Sequence, residues 1–207
     1  DCQPISADEE LKRVIPTIER LATEITVPIS IDTYKSEVAR RALAAGACMI
    51  NDVWGLKRDA GLAEAAAEAG VPLVLTANQR DNPVKNIVPA VINSLKESIG
   101  LAIKAGVSRQ NIIIDPGIGF GKTLEQNLEL LDRLVELKSL KLPILLGTSR
   151  KSMIGLVLKL PADERIMGTA ATVAIGIKNG ADIIRIHDVG QMAQVCRMSD
   201  AIVRRKK

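Results

Sequence analysis

Three aromatic residues, Tyr34, Trp54 and Phe120, are all that 207 positions contain. So few rings argue against the stacking platforms that hold single-stranded nucleic acid, and they leave the core to Ile, Val, Leu and Ala. Cysteine is scarce as well. Cys2, Cys48 and Cys196 are odd in number and follow no CxxC spacing, so neither a disulfide framework nor a zinc site is expected, and a reducing, cytoplasmic setting is. Cys48 lies in an apolar run and reads as core; Cys2 reads as incidental. No apolar run approaches the roughly 18 residues of a membrane span, and no signal peptide is visible. No Gly-x-Gly-x-x-Gly follows the first strand, which counts against a dinucleotide fold. Charge of one sign is not concentrated either. The net charge is +4, part of it in Arg204, Arg205, Lys206 and Lys207, a tail short enough to read as a solvated end. Neither a nucleic-acid nor a membrane partner is expected. Because the chain opens on Asp1 and not on Met, residues that precede it are expected to be missing from this sequence.

What is present has a rhythm. Six short apolar runs occupy residues 27–33, 48–53, 71–76, 111–117, 142–149 and 182–189, each the length of a buried strand. Ala-, Leu-, Glu- and Lys-rich stretches of helical spacing separate them. Ser6 and Glu9 make an S-x-x-E capping box ahead of a helix running to about Ala22. Gly46, Gly70, Gly106 and Gly180 each follow a helical stretch and read as stops. The order is a helix, then strand and helix six times. Strands that are apolar throughout and alternate with helices imply a parallel sheet covered on both faces. Polar residues fall at the carboxyl ends of these runs: Asp32, Asn51, Asp52, Thr76, Asp115, Thr148, Ser149, Arg185 and His187. Such a spread favours a closed (β/α)8 barrel over a single crevice. A barrel of that kind takes about 250 residues. Six strands behind an orphan helix read as strands three to eight plus the helix after strand two. No linker or composition shift divides the chain, so residues 1–207 are expected to form a single, N-terminally incomplete barrel domain.

Three stretches carry chemistry. In DPGIGFGK (115–122) an apolar strand delivers Asp115 to a buried place, where a flat heterocycle with adjacent N–H groups would satisfy it; a glycine-rich turn with a capping aspartate is the alternative. In GTSRKS (147–152), Lys151 is a compact cation suited to a ring carbonyl or an anion, and Ser152 stands at a helix start able to hold a carboxylate; a solvated basic turn is the alternative. In RIHD (185–188), strand alternation puts Arg185 and His187 on one face and Ile184 and Ile186 on the other. The chain's one histidine beside an arginine suits an oxyanion such as phosphate. Asp32 and Asn51 end consecutive strands and should lie side by side, offering with Asp115 two acceptors and an amide to a purine-like or pterin-like ring. Asp52 reads as a helix N-cap in preference to a metal ligand, Met49 and Met153 as core, and Lys96 and Lys104 as a solvated face.

The stretches SIDTYKSEVA, INDVWG, DPGIGFGKTLEQN, GTSRKSMIG, LPADERIMGTAA and RIHDV together resemble, in order and spacing, the successive motifs of the dihydropteroate synthase family. The resemblance implies a TIM barrel and a transferase of folate biosynthesis. Such an enzyme would condense 6-hydroxymethyl-7,8-dihydropterin pyrophosphate with p-aminobenzoate, with Mg2+ assisting the leaving group. By matched motifs, Asp32, Asn51, Asp115 and Lys151 would hold the pterin, and Arg185 and His187 the pyrophosphate. Phe120, Lys122 and Ser152 would meet p-aminobenzoate, and Lys151, Arg185 and His187 would be the catalytic set. A homodimer and sensitivity to sulfonamides are implied too. The metal ligand is unknown, since the family's asparagine belongs to an opening strand that this sequence does not include. Where the family has Met-His, Thr76 and Ala77 stand here, so Thr76 would pack less well on the ring. A non-catalytic pterin-binding relative and a corrinoid-linked methyltetrahydrofolate methyltransferase are the alternatives; the latter has no pyrophosphate to hold.

Overall fold

A computed structural model describes residues 4–205. Cys2 and the last two lysines of the basic tail lie outside the described residues. The order of elements is the expected one, except that two helices and not one separate the fifth and sixth strands. Helix α1 (Ala7–Glu24) comes first, then β1 (Ser30–Asp32), α2 (Ser36–Ala44), β2 (Met49–Asp52), α3 (Gly61–Ala69), β3 (Leu73–Thr76), α4 (Ile87–Lys104) and β4 (Ile112–Asp115). There follow α5 (Leu124–Asp132), β5 (Leu145–Leu146), α6 (Ser152–Leu158), α7 (Ile166–Lys178), β6 (Ile183–Ile184) and α8 (Val189–Val203). Each strand lies inside one of the six apolar runs. The four glycine stops all have positive φ; Gly70, the C-cap of α3, sits at φ 66° and its N–H returns to Ala66 and Ala67, the left-handed turn that glycine adopts without a Cβ penalty.

The residues form two compact units interleaved along the chain. The first takes the residues up to Thr76 together with Leu95–Ile113; the second takes Ala77–Ser94 and the residues from Ile114 onward. In the first unit β1 pairs with β2 and β2 with β3, all parallel, with Asp32 opposite Asn51 and Asp52 opposite Leu75. Helix α1 packs on α2, and α2 on α3. Val38, Ala42, Ile50, Leu62, Leu73 and Leu75 are fully buried. In the second unit β5 and β6 run parallel, Leu145 opposite Ile183, and Ile114 bridges Ile144. A core of Val173, Ile177 and Met192 takes Ile184 and Ile186 against it.

Several expectations need correction. The strands are not all covered on both faces: β2, β3 and β4 are largely buried, but β1, at the edge of its sheet, exposes Ser30 and Asp32, and β6 exposes Ile183. Cys48 is exposed, not core. It precedes β2, with its N–H on the Ile29 carbonyl (2.9 Å), and the neighbours Ala47 and Ile50 point inward in its place. The capping box of α1 is half formed. Ser6 Oγ accepts from the Glu9 N–H (3.2 Å), but the Glu9 carboxylate accepts from Arg13 one turn on (2.9 Å), a charged donor that outcompetes a neutral one. The complete box belongs to Thr123 and Gln126 at α5. Among the described residues no helix is long and apolar enough to cross a membrane.

Candidate active site

In the first unit the parallel register brings Asp32 and Asn51 together as neighbours. Asn51 donates from Nδ2 to Asp32 Oδ2 (3.0 Å). Asn51 is 5% exposed, and its Oδ1 has no hydrogen-bond partner among the described residues. A buried carbonyl oxygen in that state is set to accept from a ligand. Asp52, next along, is fully buried and is not a helix cap as expected: α3 starts only at Gly61. Its carboxylate instead accepts from the backbone N–H groups of Trp54 (2.8 Å) and Leu56 (2.5 Å), holding the turn after β2 with Leu56 at φ 66°. Burial pushes its carboxyl up to about 6, against the lowering effect of the Leu56, Trp54 and Gly55 N–H groups; the charge of Asp32 adds to the rise.

In the second unit Asp115 is buried at the end of β4 and accepts from the Gly117 N–H (2.7 Å). Burial holds its carboxyl above the usual carboxylate range, opposed by the Gly117 N–H and by the charges of Lys151, Arg185 and Lys122. The following loop is braced on residues 77–80. Ala77 donates to the Asp115 carbonyl (2.9 Å) and Gln79 to that of Phe120 (3.1 Å). Gly117, at φ 71°, passes so close to that segment that a Cβ would lie 2.1 Å from the Ala77 oxygen. Lys122 donates from Nζ to the carbonyls of Ala77 (2.8 Å), Gly117 (2.8 Å) and Phe120 (3.3 Å), so its ammonium is part of the loop's scaffold. Lys151 donates to the Ile118 carbonyl and stands 4.8 Å from the Phe120 ring centroid, as does the Arg80 guanidinium. Burial lowers Lys151 to about 8; Asp115 works against that fall, while Arg185 and Arg80 reinforce it.

A cavity of about 320 Å³ opens between the ends of β5 and β6, lined by Gly147, Ser149, Lys151, Arg185, Ile186 and His187. Arg185 donates its backbone N–H to Leu146 (3.0 Å), and its guanidinium overlies Gly147, where a Cβ would sit 3.5 Å from Nε. The two loops of this wall are tied twice. Ser149 Oγ accepts the His187 N–H (3.2 Å) and lies 2.9 Å from Nδ1. One residue on, Arg150 grips Asp188 with two bonds, at 3.0 and 2.5 Å, which holds the Asp188 carboxyl below the usual range. Arg150, at φ 57°, is itself fixed by Thr169 and Arg165.

Of the residues singled out from sequence, Lys151, Arg185 and His187 share this cavity. Ser152 is the first residue of α6, exposed and outside the cavity lining. Sequence reasoning missed Ser149 as the partner of His187, though it stood among the polar strand ends. It also missed the Arg150–Asp188 tie, and Arg80, which no motif flags.

Residues 1–187 match the family described as pterin binding enzyme, and the chain belongs to that family. Dihydropteroate synthase of Clostridium beijerinckii is 52% identical over 202 residues, 97% of this chain and 75% of that protein. That of Bacillus subtilis is 50% identical over 199 residues, 96% of this chain and 70% of that protein. Among solved structures, dihydropteroate synthase from Clostridium difficile in the presence of pteroic acid superposes with a TM-score of 0.95 at 48% identity, covering 99% of this chain and 78% of that one. The Xanthomonas albilineans enzyme with 4-aminobenzoic acid gives 0.92 at 39%, covering 97% and 74%. Dihydropteroate synthase is thus the member of the family that this chain is similar to, and the expected α/β fold of barrel type agrees with that likeness.

Proposed function

We infer that this chain is a transferase of folate biosynthesis that carries out the dihydropteroate synthase reaction. It condenses 6-hydroxymethyl-7,8-dihydropterin pyrophosphate with p-aminobenzoate to give 7,8-dihydropteroate and pyrophosphate. The observation that carries this is the convergence of Lys151, Arg185 and His187 on one cavity, a donor set made for an anion. The bond from the pterin methylene carbon to the pyrophosphate oxygen breaks, and its electron pair leaves on the oxygen. The Arg185 guanidinium and the His187 ring stabilise the charge that gathers there. The amine of p-aminobenzoate forms the new C–N bond to the methylene carbon and loses a proton to solvent. Asp115 accepts from the ring's N–H groups and Lys151 meets the ring carbonyl; the pterin roles of Asp32 and Asn51 are those that the matched motifs imply. Phe120 and Ser152 are assigned to p-aminobenzoate. Lys122 supports that pocket by shaping its loop.

Magnesium is an expectation of the resemblance. Among the described residues no group of three or more His, Cys, Asp or Glu side chains fits a metal ion. A cytoplasmic homodimer inhibited by sulfonamides completes the proposal; the exposed thiol of Cys48 suits a reducing compartment. A methyltransferase is disfavoured because it has no use for the anion-binding wall.

The test is release of pyrophosphate from the dihydropterin pyrophosphate in the presence of p-aminobenzoate and Mg2+. Turnover is expected, with Arg185→Ala lowering kcat/KM on the order of 10²–10³-fold. Pterin binding without turnover would support the non-catalytic alternative that the Thr76–Ala77 pair keeps open. Unchanged turnover in Arg185→Ala would remove that residue from the leaving group.

A further inference from the structure

We propose that Ser149 is the positioning residue that holds His187 as its Nε2–H tautomer, so that the ring offers a hydrogen-bond donor to the cavity. The catalytic use of that donor rests on the inference that the leaving pyrophosphate occupies the cavity; the tautomer itself does not.

The argument is a count of hydrogens. A serine hydroxyl has one hydrogen and two lone pairs. The His187 backbone N–H, 3.2 Å from Oγ, can only donate, so it takes one lone pair. Nδ1 lies 2.9 Å from the same oxygen. If Nδ1 carried the ring proton, the oxygen would receive two hydrogens and its own would need another acceptor. Ser149 is 5% exposed, Nδ1 is the one acceptor within reach of its hydroxyl among the described residues, and otherwise that hydrogen is left to the cavity that Ser149 also lines. A buried donor left unpaired costs about 1–3 kcal/mol. With Nδ1 bare, the hydroxyl donates to it and all three groups are satisfied. The proton then belongs to Nε2, the ring nitrogen left for the cavity that His187 lines with Arg185. A bare Nε2 would turn a lone pair toward an anion's oxygens, whereas Nε2–H donates to them. The Arg150–Asp188 clamp joins the next residue of each loop and keeps Ser149 and His187 in register.

One histidine in the chain makes the test unambiguous. With 15N-histidine in the full chain, the high-pH plateau of an NMR titration should show Nε2 at a protonated, pyrrole-type shift and Nδ1 at a bare, pyridine-type shift. The reverse pattern, or an even mixture, would overturn the proposal in the wild-type protein. Ser149→Ala should draw the two shifts toward each other as tautomers mix, and Ser149→Thr should restore them; shifts that stay put in Ser149→Ala also overturn it. In kinetics, Ser149→Ala should lower kcat/KM for the dihydropterin pyrophosphate roughly tenfold, leave KM for p-aminobenzoate unmoved, and add nothing in a His187→Ala background. An equal loss in that background would place the action of Ser149 elsewhere. Full turnover in His187→Ala would sink the leaving-group inference while the NMR result stood, so the two failures are separately visible.

Discussion

Lys151 and Asp115 attract each other, yet each is moved toward its neutral form. Burial outweighs their mutual Coulomb energy, and for Lys151 the nearby guanidinium groups of Arg185 and Arg80 add to it. Such a lysine is poised: an incoming anion favours the charged form that its surroundings disfavour. The sign of the pH dependence follows. Below about 8 the ammonium is present and binds; above it the free enzyme must recapture a proton before the ligand is held. The Kd for the dihydropterin pyrophosphate should therefore rise as pH passes about 8, by up to tenfold per pH unit. Lys151→Gln should bind more weakly and show no such rise. A calorimetric Kd that is flat from roughly pH 7 to 9.5 in the wild-type chain would take Lys151 away from the ring. At this scale the sequence was legible where a side chain ends a strand, because alternation and register fix its face: Asp32 beside Asn51, and Arg185 with His187. It was illegible where a partner is distant in sequence. Nothing in GTSRKS says that its first serine meets a histidine 38 residues on.

The loop between β4 and α5 is the element on which the site depends most. Its glycines marked it as a turn, but not what that turn passes. The Ala77 carbonyl fills the space that a side chain at 117 would need, and Lys122 gathers the carbonyls of Ala77, Gly117 and Phe120. Gly117→Ala should destabilise by about 3 kcal/mol or more, since strain and collision coincide there. Lys122→Met should cost on the order of 2 kcal/mol through the loss of charged hydrogen bonds. Urea unfolding checks both, and a Lys122→Met chain as stable as wild type would return that ammonium to the role of substrate contact. The motif match assigned Lys122 to p-aminobenzoate and did not reveal that its ammonium meets three carbonyls of the protein itself.

At the scale of the whole molecule, the six strands and their alternation with helices were legible from apolar run length and glycine stops, because each run is too short for a helix and bounded by turn residues; the break between α6 and α7 was not. The division into two units was not. The chain passes between them at Thr76–Ala77, inside α4 and inside β4, and a strand or helix shared by two units carries the same apolar pattern on both sides of the join. The homodimer proposed above is checked by sedimentation: the 22.2 kDa chain should run at about twice its mass at micromolar concentration, and a monomer over the whole accessible range would remove that part of the proposal.

The interleaving has a consequence for recombination with related genes. No single crossover point leaves both units of one parentage. A junction at residue 76 strands 95–113 with the wrong parent, and a junction at 113 does the same to 77–94. A chimera that exchanges 77–94 together with 114–207 inherits each unit intact.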